Sequence, residues 1–128
     1  MATSPIPSKI KLHKKSRQLE LNYENGDSYL LNCEYLRVFS PSAEVRGHGP
    51  GQEVLQWGKI NVAISSLAAV GNYAIQPTFD DGHNSGIFSW DILYDLATKA
   101  ESNWENYLAR LAEAGLGRDP DVQFLNLS

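Results

Sequence analysis

Residues Phe79 to Trp90, reading Phe-Asp-Asp-Gly-His-Asn-Ser-Gly-Ile-Phe-Ser-Trp, gather the side chains that come nearest to a reactive constellation in this chain. An imidazole beside carboxylates at the mouth of a hairpin can ligate a metal or carry a proton. Asp80, Asp81 and His83 would be the groups involved. Asp-Gly is also what a tight two-residue turn demands, and that requirement alone accounts for Asp81 and Gly82. Asp80 and His83 flank the expected turn and could face each other. The competing reading of His83 is an exposed strand histidine with no reactive role.

Other reactive types are sparse. His48 lies in a glycine-rich loop and His13 in a basic arm, neither with a partner nearby in sequence. Cys33, the single cysteine, has no Cys-x-x-Cys partner. It stands near an expected helix N-terminus, which can lower a thiol pKa, but a lone cysteine is more often simply buried. Gly47-His48-Gly49-Pro50-Gly51 lacks the Lys-Ser/Thr and the strand–helix setting of a phosphate loop. Gly-x-Ser-x-Gly and His-x-x-x-His are absent. The residues therefore predict no catalytic group, no cofactor and no assembled metal site.

Several elements must position these groups. Alternating apolar residues predict strands at Ser8–His13, Gln18–Tyr23 and from Ser28 to Leu31, with Asn25-Gly26 as a type I′ hairpin turn. Asn32 is placed to cap a short helix over 33–39, which Ser40-Pro41 ends. Residues 40–58 hold two prolines and four glycines and read as a long surface loop. Further strands are expected at Ile60–Ile64, Tyr73–Phe79 and Asn84–Phe88, with Pro77 calling for an edge position or a bulge. From Ser89 as N-cap, helical periodicity runs to about residue 114, as one helix or as two separated near Glu101-Ser102-Asn103. The Trp90/Trp104 stripe reads as helix core. The tail carries one apolar cluster, Val122, Phe124 and Leu125, which either docks or stays loose. The fold class is α+β: an antiparallel-rich sheet of about five or six strands, covered by helices near 33–39 and 89–114.

With 128 residues, 42% hydrophobic and 20% charged, the chain is expected to form one domain, 1–128, with a core at about 8–98 and a helical extension at 99–128. One cysteine excludes an internal disulfide and fits a reducing compartment. Neither a secretory h-region nor a run long enough to span a bilayer is visible, so the expected location is cytoplasmic. Lys9, Lys11, Lys14, Lys15 and Arg17 form a basic arm on an acidic body, within a net charge of −4. A solvated edge strand is favoured over a nucleic-acid contact, because the acidic remainder would repel phosphate.

Three separated stretches carry a resemblance: Leu36-Arg37-Val38-Phe39-Ser40-Pro41-Ser42-Ala43, Val70-Gly71-Asn72-Tyr73-Ala74-Ile75, and the Phe79–Trp90 block. In that order they resemble the gamma-butyrobetaine hydroxylase-like N-terminal domain family, in its stand-alone bacterial form, over residues 8–98. The resemblance implies an accessory domain. Related domains precede iron- and 2-oxoglutarate-dependent hydroxylases of carnitine synthesis, and are fused to iron–sulfur carrier ATPases in plastids. No catalytic jelly roll is matched, so hydroxylase activity is not expected. The resemblance also implies a structural zinc held in the hydroxylases by three cysteines and a histidine. Those positions fall here at Ser40, Ser42, Val45 and His83, so His83 is the one retained ligand equivalent and no zinc is expected.

The functional expectation is a non-catalytic binding or adaptor domain with a protein partner, linked to metal-cofactor enzymes or iron–sulfur cluster assembly. Its candidate contact surface is Arg37, Arg46, His48, Asp80, Asp81 and His83, with Trp90 and Tyr94 as an aromatic anchor should they prove exposed. The alternative is a metal-binding protein or metal-dependent enzyme using His83 with Asp80 and Asp81.

Overall fold

The structure is a computed structural model and describes residues 4–47, 49 and 51–122. Strands β1 (Lys9–His13), β2 (Gln18–Asn22) and β3 (Ser28–Asn32) form an antiparallel meander in the order β1-β2-β3. Register sets Ile10 beside Leu21 and Tyr29, and Leu12 beside Leu19 and Leu31. These rows face inward, and the alternate row of Lys11, Glu20 and Leu30 faces out, as period-2 geometry requires. Lys9 and Lys11 are exposed on the edge strand β1, with Lys11 3.7 Å from Glu20.

Helix α1 (Cys33–Val38) follows at once and is buried throughout, including Glu34 and Arg37. Asn32 occupies its N-cap position but makes no capping bond; its Oδ1 accepts from Gln18 Nε2 instead, 3.3 Å away. Helix α2 (Ala43–Arg46) lies inside the segment expected to be loop. It is one turn long, capped by Ser42 Oγ accepting from the Glu44 amide at 3.2 Å.

The second sheet has the order β4 (Ile64–Val70), β5 (Ala74–Phe79), β6 (Phe88–Ser89), all antiparallel. The six strands are thus divided into two three-stranded sheets. Residues Ile60 to Ala63, expected to be strand, form a turn and an extended lead-in; the strand is the small-residue run after them. Its Ser and Ala residues give no apolar alternation, which hid it. Pro77 is in the central strand, but β6 pairs only with Ala74 and Ile75. Proline therefore sits where no third strand needs its missing amide hydrogen.

Ser89 caps helix α3 (Trp90–Thr98) by accepting from the Ile92 amide. Helix α4 (Ala100–Ala114) starts after a break at Lys99 and ends at Gly115, whose φ of 70° is the left-handed cap. Two helices therefore replace the one-or-two alternative, with the break two residues before the expected Glu101. Leu19, Leu21, Leu36, Phe79, Phe88 and Leu93 are at most 1% exposed and belong to one apolar cluster drawn from both sheets, α1 and α3. Tyr107 and Leu111 of α4 pack on Val38 in a second, smaller cluster. Trp104 touches both clusters, and Trp90 and Tyr94 are partly buried against the first. Of the tail cluster, Phe124 and Leu125 lie outside the described residues.

Candidate functional site

The Phe79–Trp90 block begins with a turn in which the Phe79 carbonyl accepts from Gly82 and the Phe79 amide donates to His83 O, at 3.0 and 2.9 Å. Tyr23, Gly26 and Asp27 repeat this pattern at 3.0 and 2.9 Å. In each, only the glycine has positive φ, 92° at Gly82 and 95° at Gly26. These are three-residue loops with a glycine bulge, not the expected two-residue turns, since a type I′ turn needs positive φ at both central residues. After the second turn the chain runs without strand pairing until Phe88, so the expected strand at Asn84–Phe88 shrinks to β6.

This geometry sends Asp80, Asp81 and His83 apart. Asp80 is exposed and closes a small ring with Ala63: its amide donates to Ala63 O at 2.8 Å, and its Oδ1 accepts from the Ala63 amide at 3.1 Å. Asp81 Oδ2 accepts from Arg37 Nε at 2.9 Å and Lys59 Nζ at 3.0 Å, while Oδ1 accepts from the His83 amide at 3.2 Å. Burial pushes this carboxyl up, but Lys59, the His83 amide and Arg37 outweigh burial and bring it down to about 2. Arg37 continues to Gln56 Oε1 at 3.1 Å, and the Gln56 carbonyl accepts from Tyr107 Oη at 2.8 Å. One polar line thus joins the turn, α1, the 51–57 segment and α4.

His83 turns the other way and is 5% exposed. Its ring lies 5.8 Å from that of Phe79, centre to centre. Nδ1 is 3.0 Å from Glu44 Oε2, and Nε2 is 2.9 Å from Ser40 Oγ. An ionised carboxylate can only accept, so Nδ1 carries the proton and Nε2 accepts from the Ser40 hydroxyl. Burial and the nearby Arg37 lower the pKa of His83, against the opposing pull of Glu44 and Asp81. Serine, histidine and acid stand in the order of a nucleophile relay. Ser40 is 1% exposed, however, and also accepts from the Ser42 amide at 3.3 Å. Gly86 closes over it so tightly that a Cβ there would overlap Ser40 Oγ. An acyl carbon has no approach, and the arrangement is a structural clasp.

Ser40, Ser42, Val45 and His83 are all buried, and the clasp joins two of them directly. Ser42 Oγ meets Ser85 Oγ at 2.7 Å. As a donor set for structural zinc they do not fit: one imidazole has both nitrogens engaged, two donors are neutral hydroxyls, and valine offers none. Among the described residues, no three His, Cys, Asp or Glu side chains come together as a metal cluster would require.

The expected contact surface is accordingly redistributed. Arg37 and His83 are buried, while Asp80, Asp81 and Arg46 are exposed, Asp81 with its carboxylate tied into ion pairs; His48 lies outside the described residues. Cys33 is buried with a free thiol, as the favoured reading of a lone cysteine had it, and burial pushes its pKa up where a helix terminus would have lowered it.

Sequence reasoning did not foresee a groove of about 700 Å³ between α1, α2, the 53–56 segment and α4. Its walls include Val38, Phe39, Leu96 and Tyr107, with Arg46 and Arg110 among the charged residues. Both arginines are exposed and neither has an ion pair among the described residues. Glu53 and Asp95 also line the groove, and Asp95 is paired with Lys99 at 2.7 Å. Nothing local marks such a site, because its residues come from five separate segments, α3 included.

The model of the gamma-butyrobetaine hydroxylase-like, N-terminal family matches residues 10–94. The chain belongs to that family. Two proteins whose solution structures were determined by NMR are similar to it throughout. One has 53% identity and a TM-score of 0.83 over 98% of both chains; the other has 47% identity and a TM-score of 0.79 over 98% of this chain and 99% of its own. A crystallised protein of unknown function from Acidithiobacillus ferrooxidans, of the DUF971 family, has 35% identity and a TM-score of 0.60 over 71% of this chain and 91% of its own. No curated protein matches. The matched span covers the clasp, the turn and the first half of α3, and leaves all of α4 outside it. No helix among the described residues is long and apolar enough to cross a membrane.

Proposed function

We propose that this family member is a non-catalytic binding module that receives a protein partner in the groove between α1, α2 and α4. The observation that carries the reading is the groove itself: apolar walls from Val38, Phe39, Leu96 and Tyr107, lined also by two exposed guanidinium groups, Arg46 and Arg110, that have no ion pair among the described residues. A groove with apolar walls and a few charges suits an amphipathic segment of a partner. Arginine adds bidentate recognition of a carboxylate. The buried clasp and the Asp81–Arg37 pair support this by fixing the walls without offering a reactive group. Resemblance to domains fused with iron–sulfur carriers and metal-dependent hydroxylases suggests the partner class, namely proteins handling metal cofactors in a reducing compartment.

Affinity capture with the full chain, compared with the double variant R46E/R110E, tests the reading. Partners retained by the parent chain and lost from the variant, at unchanged circular dichroism, are expected. An identical set of captured proteins from both would refute the groove as the binding site.

A further inference from the structure

The loop that joins β1 to β2, Lys14-Lys15-Ser16-Arg17, is exposed along its whole length. Arg17 has a φ of 57° and is the one non-glycine with positive φ among the described residues; the seven other such positions are all glycine. Left-handed backbone brings a Cβ against its own chain, so glycine is the ordinary occupant of such a position in a hairpin loop. The loop's bonding does not ask for arginine. What it uses is the Arg17 carbonyl, which accepts from the Cys33 amide at 2.9 Å, and glycine has the same carbonyl. Non-glycine residues held in this region concentrate at functional sites, where the side chain accounts for the choice. The Arg17 guanidinium donates from Nη1 to the Asn61 carbonyl at 3.4 Å and makes no other hydrogen bond among the described residues.

Arg17 completes a run of cations that nothing in the chain neutralises. Lys14, Lys15 and Arg17 have no ion pair among the described residues, and the residues outside these contain no aspartate or glutamate. Of the acids on adjoining segments, Glu20 is taken up by Lys11, His13 and Asn22, and Asp80 Oδ1 by the Ala63 amide. We propose that this hairpin tip docks an acidic segment of a protein, whose carboxylates it takes on Lys14, Lys15 and Arg17. The guanidinium adds a two-point bond to one carboxylate that a lysine cannot form. Of the 11 lysines and arginines, the other eight face 15 aspartates and glutamates, so the remainder of the chain carries −7. A long polyanion such as a nucleic acid would run past the tip onto that acidic remainder and be repelled. A short segment with two or three carboxylates engages the tip alone. None of the three cationic residues lines the groove, so this contact stands apart from it.

Fluorescence anisotropy of labelled hexaglutamate at low salt, titrated with the full chain up to about 1 mM to capture weak association, reads this out. Saturable binding to the parent is expected, weakened by about tenfold or more in K14E/K15E and in R17G. R17G is the sharper variant, because glycine relieves the backbone: its urea midpoint is expected to rise while its affinity falls. Circular dichroism confirms that K14E/K15E folds, and R46E/R110E is expected to bind as the parent does. Absence of binding by the parent would overturn the proposal. So would an R17G chain that binds as tightly as the parent or unfolds at a lower urea concentration. Loss of binding in R46E/R110E alone would move the contact to the groove, and tighter binding of a labelled oligothymidylate than of hexaglutamate would make the tip a nucleic-acid surface; either result also refutes it.

Discussion

His83 Nε2 lies 2.9 Å from Ser40 Oγ, across 43 residues of sequence, and this bond fastens the loop after β5 to the end of α1. Glu44 holds the opposite ring nitrogen from α2, so one imidazole joins three segments. Replacing His83 by alanine removes both bonds, opens a cavity and leaves the Ser40 hydroxyl proton without its acceptor, while the bond from the Ser42 amide remains. A loss of about 2–4 kcal/mol in urea unfolding is expected. S40A, which removes little volume but takes the partner from both His83 Nε2 and the Ser42 amide, should cost about 1–2 kcal/mol.

Protonation should act on the same clasp. The pKa of His83 is lowered in the folded state, so between its folded and unfolded values the unfolded chain binds more protons. Its contribution is full above the unfolded value of 6.5 and declines as pH falls from there through the lowered folded value. A second decline belongs to Asp81, whose contribution is full above 3.8 and is lost as pH falls through about 2. Asp81 has a side chain 21% exposed, so its share is about 1–2 kcal/mol after screening. Urea midpoints across pH 2–8 should show both steps, and H83A should lack the upper one.

Tyr23 makes the opposite case. Its hydroxyl is buried and has no hydrogen-bond partner among the described residues, while its ring sits edge-on to Tyr29 and Tyr94 at 5.9 and 5.6 Å. Burial, with Tyr29 and Tyr94 nearby, pushes its pKa up to about 12. Y23F keeps the ring contacts and removes an unsatisfied group, so the change should be neutral or stabilising by up to about 1 kcal/mol. A loss of more than about 1 kcal/mol in thermal or urea unfolding would show that the hydroxyl has a partner.

Arg118 anchors the segment after α4. It forms a two-point pair with the buried Glu34, at 2.8 and 2.6 Å, and its guanidinium stands 5.1 Å from the Trp104 ring centre. R118A would strand Glu34, which is 5% exposed, without a counter-charge. A cost of about 2–3 kcal/mol is expected, less than for a fully enclosed pair because Arg118 itself is partly accessible. Trp104 fluorescence should shift with it, and W104F gives the assignment.

Metal analysis bears on the four positions at the clasp. Protein purified without a histidine tag should carry zinc far below one atom per chain, since Ser40, Ser42 and Val45 supply no thiolate. Introducing S40C, S42C and V45C together should raise zinc uptake and displace the Ser40–His83 bond. Near-stoichiometric zinc in the parent chain would refute the donor argument.

Much of this molecule follows from short-range rules. Period-2 alternation placed β1, β2, β3 and β5 within a residue or so, because side chains on one face of each are more deeply buried than those on the other. Glycine at Gly26 and Gly82, and Ser89 at its helix start, are local solutions to backbone constraints and were legible for that reason. Resemblance drew Ser40, Ser42, Val45 and His83 together on the strength of motifs alone. Tertiary structure decided what they do there. Whether His83 met Asp80 or Ser40 depended on a three-residue turn in place of a two-residue one, and on which way the buried ring packed. Arg37 and Asp81, 44 residues apart, have no local signal of their pairing. The split into two sheets was equally hidden, because Ser-Ala strands show no alternation and long-range partners are chosen only when the core closes. Sequence dictates what each segment can form; burial and charge pairing across the chain select which groups stay reachable.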